Sequence, residues 1–236
     1  MSFDETSFAD VHFNDVHFNE VRCEVVRTCL ELANKGYLAG TGGNVACGID
    51  EEHFAITPSA TDYYAMRPED ICVLRLRDCV LVAGERRPSV EHHLHANILR
   101  ARRDCHASIH THQPIASAYT LLGRELEIRH PRHQSMLGPK AALVGYAPSG
   151  TSWLARKLEK ALQPGINAYL MRNHGVVCCG PTLAETVARV EALEAACAQY
   201  FQEAIERCTD PEKQGSRSEV LMLLADSLKI KMESVE

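Results

Sequence analysis

Apolar residues recur at helical spacing from Glu20 to Lys35, at Val21, Val25, Cys29 and Leu32, and Gly36 follows as a helix stop. The pattern then changes. A glycine-rich loop, 40-GTGGN-44, feeds a strand through Val45 and Cys47, and a second short strand, His53 to Thr57, ends at Pro58. The runs 71-ICVLRL-76 and 79-CVLVA-83 read as strands paired across a short turn. Pro88 and Ser89 open a helix predicted to reach Arg103, with Ser89 as its N-cap. A strand over 106-HASIH-110, continuing to His112, leads into a helix from Pro114 to about Leu122. Residues 124 to 148 read as loop with short strands. A helix over roughly Thr151 to Leu162 precedes strands 167-NAYLM-171 and 175-GVVCCG-180. A long helix from Thr182 to about Cys208 and an amphipathic helix from Ser218 to about Met232 follow. Strands interleaved with helices, and helices at both ends, predict a central sheet covered on both faces.

The 236 residues suit one domain with a sizeable core, and no stretch reads as a linker between two. The expected organisation is an extension over 1–19, a domain over 20–209 and a helical tail over 210–236. The extension carries a repeat, 10-DVHFN-14 and 15-DVHFN-19, too short to make a solenoid and read as a duplicated segment rather than a metal site. The net charge of −6 gives the chain no general attraction for nucleic acid or an anionic membrane. The basic cluster 100-RARR-103 reads as the solvated end of a helix. The longest apolar stretches, such as 220-VLMLLA-225, fall far short of the ~20 residues of a membrane span. The N-terminus has neither the basic nor the apolar region of a signal peptide. Ten scattered cysteines without a CxxC pair indicate reduced thiols in the cytoplasm. Cys178 and Cys179 are strand neighbours and should face opposite ways.

Twelve histidines change the picture. His110 and His112 lie two apart at a strand end, so both imidazoles share one face, roughly 7 Å apart. Alone this is a weak signal. His174, in 172-RNHG-175 between two strand-like runs, supplies a third imidazole. Three neutral imidazoles with an open position form a catalytic zinc pattern. Glu91 falls in the first turn of the helix after Pro88-Ser89, where the helix dipole favours the carboxylate. His92, His93 and His95 read as helix-surface or packing residues. The loop 40-GTGGN-44 can cradle an anion or form a plain tight turn, and it lacks the spacing and lysine of a P-loop.

Five segments, 40-GTGGNV-45, 56-ITPSA-60, 88-PSVE-91, 110-HTH-112 and 173-NHG-175, resemble in this order the class II aldolase/adducin family, typified by zinc-dependent aldolases of L-fuculose 1-phosphate. The resemblance covers roughly residues 21 to 205. It implies a single-domain α/β/α sandwich around a mixed, largely antiparallel sheet. It also implies Zn2+ (Mn2+ or Co2+ as substitutes) on His110, His112 and His174, with Glu91 as the catalytic proton carrier. Thr41, Gly43, Asn44, Ser59, Ala60 and Ser89 would line the substrate phosphate. A homotetramer with shared active sites is expected. The implied reaction is aldol cleavage through a metal-stabilised enediolate, with a decarboxylase, a sugar-phosphate dehydratase or an epimerase as alternatives. A non-catalytic adducin-like module is the alternative of another class, and that branch lacks the metal histidines. The sequence also departs from the family. Val90 stands where the aldolases have serine, and Ala60 where they have glycine. The segment 129-RHPRHQ-134 holds no tyrosine, and its arginines and histidines suit a carboxylate as well as a phosphate.

Overall fold

The computed structural model describes residues 6–38, 40 and 42–209. Thr41, the helix expected over Ser218–Met232 and the tail from 210 onward lie outside the described residues.

Among the described residues, six α-helices and nine strands follow one another as α1 (Thr6–Asn34), β1 (Asn44–Gly48), β2 (His53–Ile56), β3 (Cys72–Arg75), β4 (Leu81–Ala83), α2 (His92–Ala101), β5 (Ala107–Thr111), α3 (Pro114–Thr120), β6 (Leu126–Glu127), α4 (Pro131–Leu137), β7 (Lys140–Val144), α5 (Ser152–Ala161), β8 (Ala168–Met171), β9 (Val176–Gly180) and α6 (Leu183–Thr209). The strands form one mixed sheet in the order β4-β3-β2-β1-β5-β9-β8-β7-β6. Every pairing is antiparallel except β7 with β8, which the crossover helix α5 joins.

Strand alternation sorts the core into two layers. Val45, Cys47, Ile109, Leu170 and Cys178 face one side, where Val25, Cys29 and Leu32 of α1, Tyr119 of α3, Leu137 of α4 and Leu193 and Phe201 of α6 cover them. Tyr169, Met171, Val177 and Cys179 face the other side, under Leu94 and Ile98 of α2 and Leu154 and Leu158 of α5. Ala46, Phe54, Ile56, Cys72 and Leu74 extend that second layer beneath Ala96 and Leu99. The α/β/α sandwich expected from the sequence is therefore present, and Cys178 and Cys179 point to opposite faces as strand neighbours must.

Four local expectations change. The first helix begins at Thr6, not Glu20, and runs unbroken across the 19/20 boundary; no glycine or proline interrupts the chain between Thr6 and Lys35. Helix α2 begins at His92 rather than at Ser89. The Ser89 hydroxyl accepts from Glu91 N at 3.2 Å and its carbonyl from His92 N at 3.1 Å, which makes residues 89–91 a tight turn ahead of the helix. The stretch read as loop over 129–134 contains the start of α4, with Pro131 at its first turn. Finally, Arg102 is buried, not solvated. Its guanidinium forks onto Asp104 (2.7 and 2.8 Å) and bonds Asn167 Oδ1 (2.7 Å), Gln163 O (3.0 Å) and Ile166 O, pinning the end of α2 to the turn before β8.

Candidate metal centre and active site

Three segments meet at one end of the central strands. Strand β5 ends in His110 and Thr111, and the turn between β8 and β9 carries His174. Two backbone features bring them close. Asn173 takes the left-handed conformation (φ 56°), which asparagine tolerates better than most residues. Gly175 packs against β5, and a Cβ there would lie 2.5 Å from His112 Cδ2 and 2.6 Å from Thr111 O. Gly43 does the same on the opposite side; its φ is 89°, and a Cβ would lie 2.8 Å from His110 O. The Tyr63 hydroxyl donates to Gly43 O at 2.6 Å and holds that loop down.

Donor atoms of His110, His112 and His174 lie within 4.8 Å of one another. His110 is fully buried, and its Nδ1 bonds Val176 O at 2.9 Å. A carbonyl only accepts, so Nδ1 carries the proton and Nε2 keeps its lone pair for a metal. That Nε2 lies 3.0 Å from His112 Nε2. His174 Nδ1 is buried without a hydrogen-bond partner. Burial drives His110 down to about 4 against the pull of Glu91, and burial also lowers His112. Both are neutral at pH 7, the state that ligates. The donor set fits a divalent ion that accepts nitrogen ligands.

Glu91 sits at the N-cap of α2, one residue before the helix rather than within its first turn as the sequence suggested, and is 6% exposed. Its Oε2 lies 3.3 Å from His110 Nε2 and its Oε1 3.5 Å from His174 Nε2. Asn44 Nδ2 donates to Oε2 at 3.0 Å and the Ser149 hydroxyl to Oε1 at 2.9 Å. Burial opposes ionisation, but His110, the Asn44 amide, His174 and Ser149 outweigh it and hold the carboxyl down at about 2. Ser149 gives no signal in the sequence, lying in a loop before α5. His95 does give one: it stands four residues after Glu91, hence on the same face of α2. It is fully buried, and its Nε2 bonds Asn44 Oδ1.

The residues expected around an anion divide. Segments 57–59 and 87–89 run side by side, Ser59 N donating to Arg87 O (2.8 Å) and Ser89 N to Thr57 O (3.0 Å). Ala60 takes the left-handed backbone (φ 52°), at a cost of about 1 kcal/mol. The Asn44 side chain turns instead to Glu91 and His95.

A second group, Cys79, His92 and His93, also brings donor atoms within 4.8 Å. Its charged neighbours are Arg100 and, beside Cys79, Asp78. The Arg100 charge acts on both Cys79 and His93, while its donors go to Ala96 O, Arg77 O and Asn97 Oδ1, all neutral acceptors. The three-histidine group, by contrast, lies beside a buried carboxylate, Glu91.

Residues 23–201 match the family model for the class II aldolase and adducin N-terminal domain. The chain is 33% identical over 187 residues to a 5-deoxy-D-ribulose 1-phosphate aldolase of Bacillus thuringiensis serovar kurstaki, covering 77% of this chain and 84% of that one. It is 28% identical to an L-fuculose phosphate aldolase of Methanococcus maripaludis, over 72% of this chain and 89% of that one. A solved L-fuculose 1-phosphate aldolase superposes with a TM-score of 0.73 at 27% identity, over 89% of this chain and 96% of that one. With the sandwich, the five ordered segments and these likenesses in agreement, the chain belongs to the class II aldolase and adducin family.

Proposed function

We propose that the chain is a metal-dependent aldolase that cleaves a 2-ketose 1-phosphate between C3 and C4, yielding dihydroxyacetone phosphate and a short aldehyde. The observation that carries this reading is a buried, ionised carboxylate in contact with two of three converging imidazoles: Glu91 with His110 at 3.3 Å and with His174 at 3.5 Å. A divalent ion on His110, His112 and His174, zinc in this reading with manganese or cobalt as substitutes, supplies Lewis-acid polarisation of the C2 and C3 oxygens and stabilises the negative charge left when the bond breaks. Glu91 handles the proton at C3, taking it in the condensation direction and returning it on cleavage. The C4 hydroxyl loses its proton in the same cleavage, so one proton leaves oxygen and one reaches carbon. Free Glu91 is a weak base; substrate that excludes water and brings negative charge raises its basicity.

The phosphate falls to Gly43, Ser59, Ala60 and Ser89 at the N-terminal end of α2, where anions are favoured, with Thr41 assigned from the resemblance alone. The Asn44 amide bonds Glu91 and His95, which leaves one of its two N–H donors for an anion. The relatives' names each carry a sugar phosphate of this kind. The decarboxylase, dehydratase and epimerase alternatives gain nothing from Arg129, which is tied to Glu127 at 2.9 and 3.0 Å. The same reading makes residues 20–209 the catalytic domain of a cytoplasmic homotetramer acting in carbohydrate metabolism. Exposed apolar residues such as Leu121, Trp153 and Leu81 supply contact surface for assembly, and among the described residues no helix is long and apolar enough to cross a membrane.

The test is cleavage of 5-deoxyribulose 1-phosphate and L-fuculose 1-phosphate, read as dihydroxyacetone phosphate formed, before and after chelation and with zinc restored. Metal-loaded protein that cleaves neither, yet releases carbon dioxide from a 3-oxo sugar acid phosphate, overturns the aldolase reading.

A further inference from the structure

A buried polar chain leads away from Glu91 into the sheet, and neither metal nor substrate needs it directly. Asn44 Nδ2 donates to Glu91 Oε2 at 3.0 Å, Asn44 Oδ1 bonds His95 Nε2, and His95 Nδ1 lies 2.8 Å from Ser108 Oγ. His95 and Ser108 are wholly buried and Asn44 is 5% exposed. Two elements build the chain. Glu91 and His95 lie one helical turn apart at the start of α2. On the sheet, Asn44 pairs with His110 and Ala46 with Ser108, so β5, which carries His110, and its neighbour β1 supply both polar partners of His95.

The direction of each hydrogen bond follows from the charged end. A carboxylate only accepts, so the Asn44 amide turns its NH2 to Glu91 and its oxygen to His95. His95 Nε2 must then carry a proton. The ring is neutral at pH 7, being wholly buried. Its Nδ1 is therefore bare and accepts from the Ser108 hydroxyl.

We propose that His95 is a positioning residue: its Nε2–H holds the Asn44 amide in the one orientation that donates to Glu91, and Ser108 holds His95 in the one tautomer that can do so. An asparagine amide without such a partner turns over, and its oxygen then meets the Glu91 carboxylate acceptor to acceptor. The kinetic consequence rests on Glu91 being the proton carrier of the proposed aldolase; the tautomer does not.

The experiment is a double-mutant cycle on metal-loaded enzyme, with His95→Leu, Asn44→Ala and the pair. Losing the neutral bond to Asn44, and with it the fixed donor on the working carboxylate, should lower kcat about tenfold in His95→Leu. KM should stay within about twofold, because no substrate contact is removed. In the Asn44→Ala background the His95 change should do nothing further, since the bond it supports is already gone. His95→Gln, whose amide can donate to Asn44 Oδ1, should recover most of kcat, and it also serves if the leucine variant does not fold. Multiplicative losses in the pair, or a folded His95→Gln as impaired as His95→Leu, overturn the proposal. Nitrogen-15 NMR of the wild-type imidazoles reads the tautomer without any assay. A protonated Nδ1 on His95, or an imidazolium at pH 7, overturns the proposal whether or not the enzyme cleaves a sugar phosphate. The expected tautomer in a protein that cleaves none sinks the aldolase reading instead and leaves the hydrogen-bond chain standing.

Discussion

Glu91 Oε2 lies 3.3 Å from His110 Nε2, and both side chains are withdrawn from water. One group is ionised and the other neutral at pH 7, so the pair offers an ion a carboxylate oxygen and a lone pair side by side. The same contact places the carboxylate beside the imidazoles that would hold a metal, within reach of a substrate bound there.

This contact sets the expectation for Glu91→Gln. The amide keeps shape and much of the hydrogen bonding but neither takes nor returns a proton. General acid–base contributions of about 10²–10⁴-fold predict a fall of that order in kcat. His110, His112 and His174 remain, so bound metal measured on the purified variant should stay near the wild-type level. His92→Gln should do far less: its Nδ1 lies 2.7 Å from Ser89 O, a backbone bond outside the metal group. A Glu91→Gln enzyme with most of its turnover would remove Glu91 as the proton carrier.

Gly175→Ala is the sharper test of how the metal centre is packed. The new Cβ would sit 2.5 Å from His112 Cδ2 and 2.6 Å from Thr111 O, and backbone cannot step aside as a flexible side chain can. Overpacking of this sort costs about 1–3 kcal/mol of stability. Because the pressure falls on His110 and His112, metal affinity should drop with it. Gly36→Ala is the control: nothing lies within 4 Å of its Cβ position, although its φ of 71° keeps some strain. Titration with zinc and urea melts of both variants separate strain alone from displacement of the histidines.

The layered fold was legible because its signals are local and periodic. Strand alternation at Val45, Ala46 and Cys47, the glycine stop at Gly36 and the proline start at Pro114 each leave a trace within a few residues. The three histidines could be read as a group only through their spacing and the resemblance, since β5 and the β8–β9 turn are 62 or more residues apart in the chain. What escaped were partners fixed by tertiary packing. Ser149 reaches Glu91 from a loop 58 residues away. Arg102 looked like one of several surface arginines until the turn before β8 closed over it. His95 was legible in principle, because a spacing of four from Glu91 marks one helix face, but the same spacing fits an ordinary packing histidine.

Arg102 supplies a prediction about stability alone. It is 4% exposed, and its partners include Ile166 O, Gln163 O and Asn167 Oδ1. Arg102→Ala strips several buried acceptors of their donor, and each unsatisfied group costs about 1–3 kcal/mol. Water entering the vacated space offsets part of this, so a loss of about 2–4 kcal/mol in urea denaturation is expected. Arg102→Lys should recover little, because a single ammonium cannot fork onto Asp104 and still reach Asn167. Activity per folded molecule should be unchanged in both, as Arg102 lies outside the Glu91 site. A lysine variant as stable as the wild type would contradict the planar-fork account.

His95 also makes acid stability predictable. Its folded-state affinity for protons is depressed to about 3: burial dominates, His110 and His92 add to it, and Glu91 and the Ser108 backbone oppose it. An unfolded chain returns the imidazole to about 6.5. Between those limits the unfolded state binds a proton that the folded state refuses, so stability rises with pH across the window. The contribution is full above about pH 6.5 and is lost progressively as pH falls towards 3. His95→Gln has nothing to titrate. It should be less stable than the wild type at pH 7, because a packed ring and its two hydrogen bonds are replaced. Its disadvantage should shrink steadily on acidification, by an amount on the order of a few kcal/mol by pH 4. The measurement is chemical denaturation of both proteins in the metal-free state at intervals from pH 4 to 8, so that release of a bound ion does not enter the slope. Parallel curves across that range would mean that His95 exchanges its proton freely in the folded protein, and that the ring is not sealed between Asn44 and Ser108.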